Sequence, residues 1–304
     1  MLLFPSITLE VGFMKNLICI NTYKSPELVK AFVWDYIEFV QSNADYDFLV
    51  SLDGEDKETI EYCAKYSIPL LYSSENEGVG ISKNRVLEAF PSYHYYFFIE
   101  DDVELLNSDV FDIHISLSKA LKIEHFSLFE ERRIRKRIGT IKFEKFHIIQ
   151  SMYGSAQFNF FTKKGLEIVG GFHTDFARYK RFGHTEHTYR FVTNGLSKYP
   201  FQIIEECLDG CFRWNDPISR IKLSVEVSEN ELFIGEENLI AERLSYYPIK
   251  TLASYTVINK TSMVTPNNMT IDLKSTLYKK KFYLKLTCLN LARKVKNVFK
   301  VLIK

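Results

Sequence analysis

The most constraining feature of this chain is a run of seven mostly aromatic and apolar residues that ends in three acids. The run covers residues 93–99, and Glu100, Asp101 and Asp102 follow it directly. Such a run predicts a buried strand of a parallel sheet, and open α/β sheets bind ligands beyond the carboxyl ends of their strands. Three adjacent carboxylates repel one another unless a cation or hydrogen bonds offset the repulsion. The feature predicts a divalent metal that holds a phosphorylated substrate.

Strand-like and helix-like segments alternate before this run. Strands are predicted at residues 16–21, 46–52, 68–72 and 93–99, and helices at residues 25–41, 57–66 and 81–90. The first helix opens with Ser25 as N-cap, Pro26 at its first position and Glu27 in its first turn. The alternation predicts right-handed βαβ units, and therefore an α/β fold with a mostly parallel sheet flanked by helices.

After the three acids, strand-like and helix-like segments no longer alternate regularly. Helices are predicted near residues 109–122, 163–169 and 182–193, and a strand at residues 157–162. Gly170 and Gly171 end one of these helices as a C-cap. Residues 130–137 form a charged run that is typical of a solvated face, with a phosphate or lipid-headgroup contact as the minority interpretation.

The net charge of +1 hides a difference between the body of the chain and its end. Residues 276–304 contain nine Lys or Arg and no acid, which leaves a net charge of −8 on the rest. Apolar residues in this tail recur at steps of three and four, so the tail predicts a basic amphipathic helix. Such a helix can lie on an anionic membrane, or dock on its own domain or on a partner. An acidic body argues against a nucleic-acid-binding protein.

Cysteine usage and the absence of targeting signals indicate the compartment. The five cysteines form no CxxC pair, and Cys207 and Cys211 have no second pair with which to complete a zinc site. Free thiols are expected in a reducing cytoplasm. We recognise no signal peptide and no membrane-spanning stretch, so we expect a cytoplasmic protein that is peripheral at the inner face of the cell membrane if its tail binds there.

Several motifs occur in a fixed order along the chain. They cover residues 18–28, 50–54, 78–84 and 98–102. In this order they resemble the family 2 type of GT-A glycosyltransferases, which share an early TYN, an Asp after the second strand, an ARN-like turn and an acidic DxD-type motif. Residues 170–176 and 183–190 look like the GGFdE and ED…R blocks of that family. Each block alone is a weak signal, whereas the ordered set is specific.

The resemblance implies that a nucleoside-diphosphate sugar, first of all a UDP-sugar, lies across the carboxyl ends of the strands. Thr22, Tyr23 and Asp53 match positions that hold the base and ribose. The alternative is that Thr22 and Tyr23 only close a turn and that Asp53 caps the following helix. Lys83 matches an Arg of the family, where a cation neutralises a phosphate; as a solvent-exposed lysine it would need no such role.

The resemblance also implies a metal site at Asp102, Asp101 and Glu100. Mn²⁺ or Mg²⁺ prefers oxygen ligands, and typically takes one or two carboxylates together with substrate phosphates. We favour Asp102 as the ligand, with Asp101 on the ribose or the metal. The metal would stabilise the charge that develops on the leaving group. The alternative is three acids in a solvated loop.

An inverting transfer needs a base that takes a proton from the acceptor hydroxyl. The motif match places this base at Glu186, our first choice, or at Asp175. The chain departs from the family here, because the usual Glu-Asp becomes Glu186-His187. Arg190 follows one helical turn after Glu186, so these two residues can simply form an exposed ion pair. A late histidine metal ligand of some GT-A enzymes is missing unless His184 or His187 replaces it.

The resemblance thus implies a hexosyltransferase that is inverting and metal-dependent and that modifies a glycan or glycolipid acceptor in surface polysaccharide synthesis. We expect a GT-A domain at residues 14–220, an extension packed on it at 221–275 and a basic tail helix at 276–304. A degenerate domain that binds sugar or serves as a scaffold is the alternative that the Glu186-His187 block leaves open. A sugar nucleotidyltransferase is less favoured, because residues 21–25 lack a glycine-rich phosphate loop.

Overall fold

The computed structural model describes residues 15–131, 134, 137–177, 183–215, 237–238, 241–259 and 278–284. The helices are α1 (Pro26–Ser42), α2 (Lys57–Lys65), α3 (Val79–Ala89), α4 (Asp109–Leu121), α5 (Lys163–Val169) and α6 (Gly183–Thr193). The strands are β1 (Asn16–Thr22), β2 (Tyr46–Leu52), β3 (Leu70–Ser73), β4 (Tyr95–Glu100), β5 (Val103–Leu105), β6 (His125–Leu128), β7 (Arg137–Phe143), β8 (Phe146–Ser151), β9 (Phe158–Thr162), β10 (Phe201–Ile204), β11 (Phe212–Trp214) and β12 (Tyr255–Ile258).

A seven-stranded sheet with the order β12-β3-β2-β1-β4-β9-β6 forms the centre of the fold. Strands β3, β2, β1 and β4 are parallel neighbours, whereas β9 runs antiparallel to both β4 and β6, and β12 runs antiparallel to β3. A three-stranded sheet, β10-β8-β7, and a two-stranded sheet, β11-β5, lie beside it. The sheet is therefore mixed but mostly parallel, as the alternation of strands and helices predicts.

The two largest clusters of the core lie on opposite faces of the sheet because successive residues of a strand point to opposite faces. Phe97 belongs to the cluster that contains Phe111 of α4, and its neighbour Phe98 belongs to the cluster that contains Leu87 of α3. Both rings are fully buried. The aromatic run is thus a strand covered on both faces, which fixes the three acids at its carboxyl end.

The predicted elements agree with the structure most closely where their local signals are strong. Strand β2 and helix α5 have the predicted bounds, and α5 ends at Gly170, whose φ of 77° suits a glycine. Ser25 precedes α1 as predicted, but its hydroxyl donates to the Tyr23 carbonyl at 3.0 Å and does not cap the helix. The hairpin β7–β8 and the short strands β5, β6, β10, β11 and β12 are absent from the predicted set.

The described parts of the C-terminal region pack on the same body. Strand β12 is an edge of the central sheet, and the helical residues 278–284 place Phe282 against Phe32 of α1, with 5.4 Å between ring centroids. Residues 216–236 and 260–277 and the tail from 285 onward lie outside the described residues. Of the helices that are described, none combines the length and apolar character needed to cross a membrane. Four cysteines are buried and free, as predicted, and Cys288 lies outside the described residues.

Candidate active site

Side chains from three neighbouring strands meet at the carboxyl edge of the sheet. The Thr22 hydroxyl, at the end of β1, donates to Asp101 Oδ2 at 2.7 Å. The Asp53 amide, directly after β2, donates to the Thr22 carbonyl at 3.0 Å. All three residues are buried, with at most 4% of their surface exposed. The structure therefore brings together the predicted ends of β1, β2 and β4.

Asp53 is held by donors from the loop that precedes α3. Its carboxylate accepts from the Glu77 amide at 3.1 Å, the Gly78 amide at 2.6 Å and Arg85 Nη1 at 3.0 Å. The alternative role as a helix cap is wrong, because Asp56 is the N-cap of α2. Asp53 is thus a carboxylate fixed in place at the rim of the sheet, and its backbone continues into the turn beside Tyr23.

Tyr23 lies half-buried next to this turn. A Cβ on Gly54 would come within 3.2 Å of Tyr23 Cε2, and Gly54 has a φ of 87°, so both space and backbone conformation favour a glycine there. The ring therefore lies beside Asp53, as a base-stacking residue requires.

Arg85 is a functional candidate that sequence reasoning missed. Its side chain is fully buried, and it forms ion pairs with Asp53 and with Glu77. Two acids share one guanidinium, so the cluster carries one net negative charge. Its partner Asp53 lies 32 residues away in the chain, so the sequence does not reveal this contact. The one sequence signal for Arg85 is its position directly after the ARN-like turn.

Lys83 lies beneath the site. It is 1% exposed, its Nζ donates to Asn159 Oδ1 at 2.6 Å, and it sits 5.5 and 5.3 Å from the ring centroids of Phe98 and Phe172. Burial lowers the pKa of Lys83 to about 8, and the nearby Glu100 acts in the opposite direction. The alternative of a solvent-exposed lysine is wrong, and phosphate binding by Lys83 stays a prediction.

The three acids are not exposed in a solvated loop. Asp101 and Asp102 are each 2% exposed, Glu100 is half-buried, and the Asp102 carbonyl accepts from the Asn215 amide at 2.8 Å. Within the described residues, no group of three His, Cys, Asp or Glu side chains is arranged to hold a metal alone. The residues present fit a Mn²⁺ or Mg²⁺ ion that takes one or two carboxylates and completes its shell with substrate phosphate and water.

The GGF turn after α5 joins two of the sequence motifs. The Asn84 side chain accepts from the Phe172 amide at 2.7 Å and donates to the Phe172 carbonyl at 2.8 Å. The Gly171 amide donates to the Tyr247 carbonyl at 2.8 Å, and a Cβ on Gly170 would lie 1.8 Å from that oxygen. A segment around Tyr247, to which the sequence assigned no chemistry, therefore closes this side of the site.

The two candidate bases have different surroundings. Glu186 and Arg190 form the expected ion pair at 2.7 Å, but the pair is buried, with 3% and 1% of the side chains exposed. Burial raises the pKa of Glu186, and the charge and hydrogen bond of Arg190 oppose this shift. Asp175 lies on the turn Thr174–Ala177 with 67% of its side chain exposed. His187 is fully buried and hydrogen-bonded to the Gly170 carbonyl at 3.0 Å.

A small pocket separates the start of α3 from the GGF turn and α6. It is lined by Glu77, Gly78, Val79, Gly80, Ile81, His173, Phe176 and Gly183. Its volume of about 10 Å³ admits one water-sized group. Sequence reasoning missed His173, although this residue stands inside the GGF block.

No family model matches the chain, and no curated protein matches it. Among solved structures, residues 1–349 of Staphylococcus aureus TarS in complex with UDP match with a TM-score of 0.53 and 12% identity, over 76% of this chain and 65% of that chain. The fold is of the GT-A type. The same TarS fragment with UDP-GlcNAc matches this GT-A fold with a TM-score of 0.50 and 14% identity, over 76% of this chain and 66% of that chain.

A Pyrobaculum calidifontis mannosyltransferase, PcManGT with GDP-Man and Mn²⁺, is more distant, with a TM-score of 0.47 and 13% identity over 62% of this chain and 54% of that chain. The chain spans about two thirds of the length of the TarS fragment. In its GT-A fold, Thr22, Asp53 and Asp101 occupy the carboxyl edge of the sheet, where ligands of open α/β sheets bind. Buried carboxylates give this edge hydrogen-bond acceptors, and the half-buried ring of Tyr23 gives it an aromatic surface.

Proposed function

We propose that this chain is a glycosyltransferase of the family 2 type, a hexosyltransferase that uses a nucleoside-diphosphate sugar, most simply a UDP-sugar. The observation that supports it most is the 2.7 Å hydrogen bond between Thr22 and Asp101, at the same edge as Asp53. It joins the ends of β1 and β4, and the hydrogen bond from the Asp53 amide to the Thr22 carbonyl adds the end of β2. The likeness to TarS supports the fold to which this edge belongs.

The donor nucleotide occupies the surface formed by Thr22, Tyr23 and Asp53. The fixed Asp53 carboxylate accepts hydrogen bonds from a base edge or a ribose hydroxyl, and Tyr23 stacks on the base. Asp101, already bonded to Thr22, faces the ribose or the metal. The hydrogen bonds from Arg85 and the Gly78 amide keep Asp53 in one orientation before the nucleotide binds.

Asp102, with Asp101 and Glu100, holds Mn²⁺ or Mg²⁺ together with the donor diphosphate. A bound ion of this kind supplies positive charge to the diphosphate as the sugar leaves. Lys83 lies under these acids and offsets part of the charge of Glu100. The buried ammonium group of Lys83 thus offsets part of the negative charge of the three acids.

The transfer inverts the anomeric carbon, with Glu186 as the base for the acceptor hydroxyl and Asp175 as the second candidate. Burial raises the pKa of Glu186, which brings it closer to the range in which a base is effective near neutral pH. Arg190 fixes the orientation of this carboxylate. A glycan or glycolipid acceptor in surface polysaccharide synthesis is in keeping with the basic tail, which would keep the enzyme at the inner face of the membrane.

One observation favours a second candidate, a domain that binds sugar without transferring it. The Glu186 carboxylate is already engaged in a buried ion pair with Arg190. The arginine stabilises the charged form of the carboxylate, so the carboxylate accepts a proton less readily. The two candidates differ in turnover but share nucleotide binding.

Titration calorimetry with UDP, with and without Mn²⁺, and release of UDP from nucleotide sugars test this proposal. We expect Mn²⁺-dependent UDP binding and turnover, with turnover reduced at least about a hundredfold in Asp102→Asn. Asp45→Asn removes an exposed acid outside the site and is the matched control. Full turnover by Asp102→Asn contradicts the metal assignment, binding without turnover supports the second candidate, and no nucleotide binding contradicts both.

A further inference from the structure

The pocket at the start of α3 contains a histidine to which the proposed function gives no role. His173 is 7% exposed, and its ring stacks on Tyr247 with 4.1 Å between centroids. Phe176 meets the same ring edge-on at 6.2 Å, and the Asp175 amide donates to His173 Nδ1 at 3.1 Å. The imidazole is therefore fixed in orientation before any ligand binds.

The hydrogen bond from Asp175 also selects the tautomer of this ring. Because a backbone N–H donates to Nδ1, that nitrogen presents its lone pair, and the neutral ring carries its proton on Nε2. Among the described residues, none accepts a hydrogen bond from His173 Nε2. His173 thus has an Nε2–H donor that makes no hydrogen bond to the described part of the protein.

The size and charge of the pocket restrict which ligand groups can accept a hydrogen bond from His173. A volume of about 10 Å³ admits one water-sized group. Glu77 lines the pocket and shares the Arg85 guanidinium with Asp53, so the local cluster carries one net negative charge. This charge disfavours a phosphate or carboxylate, although the start of α3 alone favours an anion. A neutral hydroxyl group satisfies the donor without adding repulsion.

We infer that His173 is a specificity-determining residue whose Nε2–H donates a hydrogen bond to one hydroxyl group of the donor sugar. The inference rests on the proposed function, because the bound nucleotide brings the sugar to this pocket. Gly78 connects the two places, since its amide donates to Asp53 at 2.6 Å and the same residue lines the pocket. A sugar that lacks this hydroxyl, or carries it in another orientation, does not form this hydrogen bond.

The test measures affinities of the full chain with Mn²⁺ for UDP, UDP-glucose, UDP-galactose, UDP-GlcNAc and UDP-xylose, together with the rate of UDP release from each sugar. The variants are His173→Leu, which removes the donor, and His173→Gln, which keeps an N–H. The matched control is His147→Leu, because His147 lies on β8 and pairs with Glu206 away from the pocket. Thermal unfolding of each variant is recorded alongside.

We expect His173→Leu to bind UDP within about twofold of the wild type and to lose about tenfold to a hundredfold in affinity and kcat/KM for the preferred sugar. The affinity and kcat/KM for poorly used sugars change little, so the variant discriminates less between sugars. His173→Gln recovers part of the preference, and His147→Leu behaves as the wild type does.

Unchanged sugar preference in His173→Leu, with UDP affinity retained, overturns the inference and leaves the proposed function in place. An equal loss for UDP and for every sugar also overturns it, because the ring would then only support the fold. If His173→Leu does not fold, the sugar preference of His173→Gln is the test. Equal use of all sugars by the folded His173→Gln variant contradicts a role of His173 as hydrogen-bond donor. A wild-type chain that binds neither UDP nor any of these nucleotide sugars overturns the inference and the proposed function together.

Discussion

At the scale of single residues, the site depends on charges that are buried and balanced. Asp53 and Glu77 share the guanidinium of Arg85, which is fully buried. Taking charges out of water is expensive, and each partner of such a cluster is tolerated only while the others remain. Lys83 is a second buried cation, and it relies on Asn159 and the two neighbouring phenyl rings. These ion pairs and hydrogen bonds make the side chains of the candidate site part of what stabilises the fold.

Replacing Arg85 by Met leaves Asp53 and Glu77 buried without their cation. We expect a loss of about 3–5 kcal/mol in the free energy of unfolding, measured by urea denaturation, and weaker UDP binding. Arg243→Met removes an exposed arginine and serves as the control. A stability loss in Arg85→Met no larger than that of the control contradicts this account of the cluster.

The pKa of Lys83 predicts how stability depends on pH. Its pKa is lowered by burial to about 8 in the folded chain, against 10.5 for an ordinary lysine, so the unfolded chain binds more protons between these values. The free energy of unfolding of the wild type should therefore rise relative to Lys83→Met from pH 8 to about 10.5, by at most about 1.4 kcal/mol per pH unit. Comparing denaturation curves of the two proteins isolates this group, and a difference that does not change with pH contradicts the lowered pKa.

At the scale of elements, the glycine turn that follows α5 packs closely against the segment around Tyr247. Gly170 has a φ of 77° and lies so close to the Tyr247 carbonyl that a Cβ would clash with it. The same carbonyl accepts from the Gly171 amide, and Asn84 of α3 binds the next residue along, Phe172. Three parts of the chain therefore meet through backbone groups, which leaves little freedom for the pocket that they enclose.

Gly170→Ala should destabilise the fold by about 3 kcal/mol or more, since it combines a left-handed backbone with a steric clash. Gly195→Ala is the control, because Gly195 has a φ of 69° and a methyl group added there meets nothing within 4 Å, so only the backbone cost of about 1 kcal/mol applies. Urea denaturation measures both. Equal losses in the two variants would mean that the contact with Tyr247 is not tight.

At the scale of the whole molecule, the helical residues 278–284 pack on the body of the fold. Lys279 forms an ion pair with Asp35 at 2.6 Å, and Tyr283 contacts Glu104 of β5, two residues after Asp102. The docked alternative of the sequence analysis therefore holds for residues 278–284. The membrane alternative concerns the residues that follow, and it stays a prediction.

Two truncations separate these roles. Deleting residues 285–304 should abolish binding to vesicles that contain phosphatidylserine, measured by co-sedimentation, because six of the nine tail cations lie there. Deleting residues 278–304 should in addition lower the thermal stability, because it exposes Phe32 and removes the contacts of Tyr283 and Lys279 with Glu104. Vesicle binding by the protein that lacks residues 285–304 contradicts the membrane role of those residues. Equal thermal stability of the two truncated proteins contradicts the docking role of residues 278–284.

Local patterns predicted the six described helices and five of the twelve described strands, but not every strand direction or contact. The continuous apolar run that contains Phe97 and Phe98 identifies a buried strand, and β9 was also predicted as a strand. An apolar run is the same in both chain directions, so it could not reveal that β9 runs antiparallel to β4. Thr22, Asp53 and Asp101 were predictable because strand ends of a parallel sheet share one edge. The contacts of Arg85 and the ring of Tyr247 behind His173 were not, because they join distant parts of the chain.

The hydrogen bonds of Asn84 have a consequence for synthesis of the chain on the ribosome. This side chain donates to the carbonyl of Lys250, 166 residues further along. A nascent chain that has emerged only as far as residue 215 already contains every motif of the site, yet it lacks the tyrosine that backs His173. Such a chain can assemble most of its sheet during translation, while the surroundings of His173 are complete only after Tyr247 has been synthesised.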